Sequence, residues 1–154
     1  REKRYTLFFL LRYRFNARNL KVEISKRKPV KKYSPQSYLG IPILVGEKEG
    51  ALSGKLSAFL TRKVFAARDA FDLWFFLKNN WQIDAADLKD QIELTPQEAF
   101  QKALEKTEKI SKKQMLQGLA ELIEEKQKVF VREKLLTDLS FYLRLYLDSI
   151  NHSG

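Results

Sequence analysis

Apolar residues recur at one period in the first part of this chain and at another in the rest. The change near residue 46 constrains the fold more than any other feature. Leu20-Lys21-Val22-Glu23-Ile24-Ser25 alternates apolar and polar side chains, which predicts a half-buried strand with Leu20, Val22 and Ile24 on one side. Tyr5 to Phe15 is rich in Phe, Leu and Tyr, and Asn16-Ala17-Arg18-Asn19 is a turn signal, so the two segments predict a hairpin. Lys26 to Pro42 carries three prolines and reads as a loop, and Ile43-Leu44-Val45 reads as a short strand ending at Gly46. From Glu47 onward the spacing turns helical, with Leu52, Leu56, Phe59 and Leu60 at i, i+4, i+7 and i+8. A second helix is expected over about 67–77, and Asp84 can cap a short one ending near Glu93. Thr95-Pro96-Gln97-Glu98 forms a capping box with proline in the first turn, and Ser111-Lys112-Lys113-Gln114 looks like another. Leu136, Leu139, Leu143, Tyr146, Leu147 and Ile150 mark a last helix. The expected class is α+β: a small mixed or antiparallel N-terminal sheet over 1–46, then a helical bundle over 47–154.

Composition narrows the chemistry. The 154 residues include no cysteine, which excludes disulfides, thiol nucleophiles and Cys-ligated zinc. The single histidine, His152, argues against a His-based triad or a two-His metal site. Arg1, Lys3 and Arg4 precede an apolar run that stops at Arg12, too short for a signal-peptide core. No segment approaches the ~18 apolar residues of a membrane span. The expectation is a cytoplasmic protein with no membrane partner.

The net charge of +10 is confined to one end. Residues 1–33 hold twelve Lys/Arg and two Glu, whereas residues 34–154 hold seventeen of each sign. Such asymmetry suits a polyanion, either nucleic acid or a nucleotide triphosphate. Lys26, Arg27, Lys28, Lys31 and Lys32 suit an RNA backbone, and Tyr33 and Tyr38 are available to stack on bases; a solvated connection reads equally well. Trp74 and Trp81 are expected in the core. Gly54-Lys55 is not a phosphate-binding P-loop, because Glu49 stands at the first glycine position and Leu56 at the hydroxyl position.

The most informative segment runs from Lys55 to Asp72. Lys55 lies among apolar residues, and thirteen positions later comes Arg68-Asp69-Ala70-Phe71-Asp72. On a helix Asp69 and Asp72 share a face, and Arg68 can pair with Asp72 at i, i+4. Lys55 and Asp69 would be ~21 Å apart along one unbroken helix, so they share a site only if the chain turns between them, near residues 62–67. From the residues alone this is either a solvated ion-pair edge opening a buried helix or a ligand-facing cluster.

Lys55-Leu56-Ser57-Ala58-Phe59-Leu60-Thr61-Arg62 followed by Arg68-Asp69-Ala70-Phe71-Asp72-Leu73 resembles the third motif of the AbiEii/AbiGii-type nucleotidyltransferase toxins. The preceding Leu20–Ser25 is similar to the strand before that motif, and the resemblance covers about 5–80. It implies an enzyme in which carboxylates hold Mg2+ ions that bridge a nucleotide triphosphate and an attacking hydroxyl. It implies that Lys55 contacts the triphosphate, that Asp69 positions it or serves as an acid/base group, and that Arg68 and Asp72 complete the nucleotide site. Glu23 is then the third metal-binding acid; simple strand alternation accounts for it equally well. An RNA such as tRNA is the implied acceptor, and a cognate antitoxin the implied protein partner. The family's Gly-rich loop and Asp-x-Asp pair do not occur here, so the resemblance implies the C-terminal part of such an enzyme, or a degenerate member. Two other readings remain: a non-catalytic basic module that binds RNA or protein, and a helical interaction domain.

Overall fold

A computed structural model describes residues 2–3, 6–16, 18–26, 32–119 and 123–152. Two compact units are present, residues 1–30 and 31–154.

The first unit holds β1 (Glu2–Lys3), β2 (Thr6–Leu11) and β3 (Leu20–Ser25) in the order β1-β2-β3. Both pairings are antiparallel, so the sheet is not mixed. The expected hairpin of β2 and β3 forms, with Leu11 opposite Leu20 and Phe9 opposite Val22. Asn16 sits in the connection at φ 64°, a left-handed conformation that asparagine tolerates. Directly opposed residues share a face, so Leu7, Phe9 and Leu11 stand with Ile24, Val22 and Leu20. The half-buried strand expected from alternation is not what is found: Leu20, Val22 and Ile24 are exposed, as are Phe9 and Leu11. Alternation sorts side chains onto faces, but burial needs a second layer, and none of the described residues of this unit is buried.

The second unit opens with an unexpected strand. The segment read as a loop contains β4 (Tyr33–Tyr38), paired antiparallel with β5 (Ile41–Gly46). Leu39 and Gly40 form the two-residue turn at φ 51° and 79°, the positive pair that a type I′ hairpin needs. Pro35 and Pro42 are tolerated because a two-stranded ribbon consists only of edges.

Among the described residues seven helices follow: α1 (Lys48–Thr61), α2 (Ala67–Lys78), α3 (Ala85–Ile92), α4 (Pro96–Glu108), α5 (Lys112–Leu119), α6 (Glu125–Glu133) and α7 (Leu135–His152). Their starts follow the capping signals. Asp84 Oδ1 accepts the Asp87 N–H at 3.0 Å, Thr95 and Glu98 form the reciprocal box, and Ser111 and Gln114 form another. The α+β class is as expected, with strands first and helices after. The core lies between α1, α2, α4 and α7. Leu135, Leu139, Leu143 and Leu147 form a ridge along α7, and Leu52, Leu56 and Phe59 bury one face of α1. Each such side chain contributes about 1.5–3 kcal/mol on leaving water. Phe100 stacks on Tyr146 with centroids 4.3 Å apart, and the Tyr146 hydroxyl accepts the Ile83 N–H at 3.0 Å. Trp74 is buried, and Trp81 stacks on Phe76 at 4.1 Å.

Candidate functional site

The chain turns between α1 and α2, and this brings the two halves of the charged motif together. Arg62 ends α1 with extended backbone, and Ala66 opens α2. Lys55 Nζ then lies 3.6 Å from Asp69 Oδ1 and 2.5 Å from Asp72 Oδ2. Asp69 and Asp72 share one face of α2, as i, i+3 residues must.

Asp69 is the centre of the cluster. Its side chain is 1% exposed and sits in the first turn of α2, where the helix dipole favours an anion. Arg62 Nε approaches the other oxygen, Asp69 Oδ2, at 2.8 Å. Neither oxygen receives a well-directed hydrogen bond from the described residues, so compensation for burying this carboxylate is ionic. Lys55 and Arg62 are partly exposed, which leaves their outer N–H groups open to a ligand.

Arg62 was not among the residues singled out from the sequence. The signal for it was present: Lys55 and Arg62 are seven apart, two turns on one helix face, so both point at whatever α2 presents there. The expected pair of Arg68 with Asp72 does not form. Asp72 is taken by Lys55, and Arg68 is exposed, with no carboxylate partner among the described residues. Two cations and two carboxylates, Lys55, Arg62, Asp69 and Asp72, thus make a neutral cluster, and Arg68 stands next to it in sequence, exposed, at the start of α2.

Two elements hold α1 in place for this. Ser53, fully buried, accepts the Asp84 N–H at 3.1 Å and lies 3.0 Å from the Asp84 carbonyl oxygen, joining α1 to the start of α3. Lys106 of α4 donates to the carbonyls of Phe59 and Leu60 at 2.6 and 3.2 Å, closing the C-terminal end of α1 just before Arg62.

The remaining expected residues lie elsewhere in the chain. Glu23 is on β3, in the unit of residues 1–30, exposed and 2.7 Å from Lys21 Nζ. Lys26 and Lys32 are exposed; Arg27, Lys28 and Lys31 lie outside the described residues. Tyr33 and Tyr38 are exposed on β4.

The residues described do not fit a magnesium site. No group of three or more His, Asp and Glu side chains that could hold a metal occurs among them. Both Asp69 oxygens and Asp72 Oδ2 face the cations Lys55 or Arg62, which disfavours a metal ion at those three oxygens. Among the described residues no helix is long and apolar enough to cross a membrane.

A family model described as nucleotidyl transferase AbiEii toxin, type IV toxin–antitoxin system, matches residues 4–143. No curated protein and no solved structure matches the chain. The matched span includes the hairpin of β2 and β3, the Lys55–Asp72 cluster and the first half of α7. The chain belongs to the AbiEii nucleotidyl transferase toxins of type IV toxin–antitoxin systems.

Proposed function

We propose that this chain carries the nucleotide-contacting part of a toxin that transfers a nucleotide from a triphosphate to RNA, such as a tRNA. In the reaction an acceptor hydroxyl oxygen attacks the α-phosphorus. The new O–P bond forms as the bond to the bridging oxygen breaks, pyrophosphate leaves, and the hydroxyl proton is released to water. The observation that carries the reading is the convergence of Lys55 and Arg62 on the buried Asp69, with Lys55 also held by Asp72. Lys55 and Arg68 meet the triphosphate, where positive groups offset the charge that moves onto the leaving oxygens. Asp69, buried between two cations, is a positioning residue: it fixes the direction of the Lys55 ammonium and the Arg62 guanidinium. This placement is poorly suited to taking a proton from an acceptor. Asp72 holds Lys55 from the solvent side. Glu23 remains the proposed metal-binding acid by family resemblance, and magnesium the proposed ion. No step here is routed through either. A cytoplasmic location and binding of a cognate antitoxin go with the same reading.

The test is transfer of label from α-labelled nucleotide triphosphates to bulk RNA. Lys55→Arg keeps the charge and moves it, so transfer falls by about a hundredfold while the melting temperature is held. Transfer that is equal in wild type and Lys55→Arg overturns the assignment. A non-catalytic basic RNA- or protein-binding module is favoured instead if RNA is retained, with a steep salt dependence, but never labelled.

A further inference from the structure

The connection between β2 and β3 has a use that the Lys55–Asp72 site does not absorb. Residues 12–18 read Arg12-Tyr13-Arg14-Phe15-Asn16-Ala17-Arg18, three arginines interleaved with two aromatic rings. Phe15 is 83% exposed and Tyr13 73% exposed, more than any other large aromatic side chain described. A phenylalanine left in water at a hairpin tip contributes nothing to folding. Arg12, Arg14 and Arg18 are exposed and, among the described residues, make no ion pair. No acidic residue occurs from Lys3 to Val22. The next, Glu23, is about 10 Å down the ladder from the tip, one Debye length at ordinary salt, and it faces Lys21. The tip is therefore an undiluted positive patch with two flat rings standing out of it.

We infer that this hairpin tip binds single-stranded RNA, with Tyr13 and Phe15 stacking on unpaired bases and Arg12, Arg14 and Arg18 contacting phosphates. Rings on a protrusion suit bases, which present flat faces once unpaired, and stacking tolerates any base. Guanidinium groups suit phosphate through paired N–H donors. An arginine between the rings is unfavourable for a bilayer wedge, which needs contiguous apolar surface. This assignment rests on the proposal above that the acceptor is RNA, and it locates where that RNA is gripped, apart from the lysines at 26–32.

The experiment uses the full chain and a short fluorescein-labelled oligouridine, followed by anisotropy across a potassium chloride series. Circular dichroism confirms that each variant is folded, as substitutions at exposed positions should leave it. Removing both rings (Tyr13→Ala with Phe15→Ala) should weaken binding about tenfold or more with the salt slope kept. Removing the three arginines (Arg12→Ala, Arg14→Ala, Arg18→Ala) should flatten the salt slope by roughly two. The same sequence as a duplex should bind without sensitivity to the rings. If both tip variants bind oligouridine like wild type, while Lys26, Arg27, Lys28, Lys31 and Lys32 changed to Gln abolish binding, the tip is wrong and the RNA reading stands. If wild type binds no oligouridine and labels no RNA, both fail. If the tip variants lose only co-flotation with anionic phosphatidylglycerol vesicles, the partner is a lipid surface and the inference is overturned.

Discussion

Asp69 and Asp72 are the same residue type, three apart, both paired with Lys55, yet their environments differ enough to separate them. Asp69 is 1% exposed and lies between two cations, whereas Asp72 is 36% exposed and touches one. Asp69→Ala empties a buried position and leaves two cations without their shared carboxylate, whereas after Asp72→Ala Lys55 keeps Asp69 and water. Asp69→Ala should therefore lose about 2 kcal/mol of unfolding free energy, and Asp72→Ala at most about 1 kcal/mol, read from urea titrations. Equal losses would contradict the geometry. Tyr146 gives a second prediction at this scale. Burial raises its phenol above the usual 10.0, and the Ile83 N–H bonded to the hydroxyl opposes this in part. A folded-state value above the unfolded one means that the unfolded chain ionises first. Its contribution to stability is whole below pH 10 and is lost as pH rises beyond it. Tyr146→Phe should cost about 1 kcal/mol at neutral pH, through the Ile83 N–H left without its acceptor. It should also fall less steeply than wild type in alkali. Parallel pH profiles would show that Tyr146 is not the group responsible.

Helix α1 carries no basic residue in its own last turn, and the cation that faces its terminal carbonyls comes from another element. Lys106 of α4 supplies it, with its ammonium on the Phe59 and Leu60 oxygens. A charged donor there is worth about 1.5–3 kcal/mol, and it also fixes the point from which Arg62 departs. Lys106→Met should lower the melting temperature and weaken nucleotide triphosphate binding by calorimetry, without touching the nucleotide. An unchanged melting curve would remove Lys106 from this role. Such long-range help is the kind of fact that sequence hides. Local signals were legible: Thr95 with Glu98, Asp84 with Asp87, and the leucine spacing of the last helix all act within a few residues. The β4–β5 hairpin was not, because its turn is Leu39-Gly40 and leucine rarely takes a left-handed φ, while two prolines argued against any strand. Helix α6 was also unread, since Val131 is its only buried residue and its apolar residues are the consecutive Val129, Phe130 and Val131. In the site, the approach of Lys55 to Asp69 was stated as a demand on the chain. The role of Arg62, two turns along the same face, depends on that same turn of the chain, which carries Asp69 back against the end of α1.

At the scale of the whole molecule, charge and core are divided between the two units. Residues 1–30 carry ten basic and two acidic side chains, for a net of +8, and residues 31–154 carry the remaining +2. Among the described residues, every buried apolar side chain belongs to the second unit. A small sheet with one apolar face open to water has little to set against the conformational entropy of ordering it, so opening the first unit requires far less free energy than opening the second. Trypsin offers a direct reading, because arginine and lysine are dense up to Lys32 and continue through the helices. If burial sets the order, early cleavage falls within residues 1–32 and a fragment beginning at Tyr33 accumulates before the helices are cut. Lys55 and Arg68 should then resist, although neither is deeply buried, because cutting beside them requires local unfolding of α1 or α2. A saturating nucleotide triphosphate that binds this cluster stabilises only the form that holds it, by RT ln(1 + [L]/Kd). It should lengthen the lifetime of the Tyr33 fragment and leave cleavage in residues 1–32 unaltered. Protection of the first unit instead, with the helices cut as fast as before, would place the nucleotide on the sheet and away from Lys55.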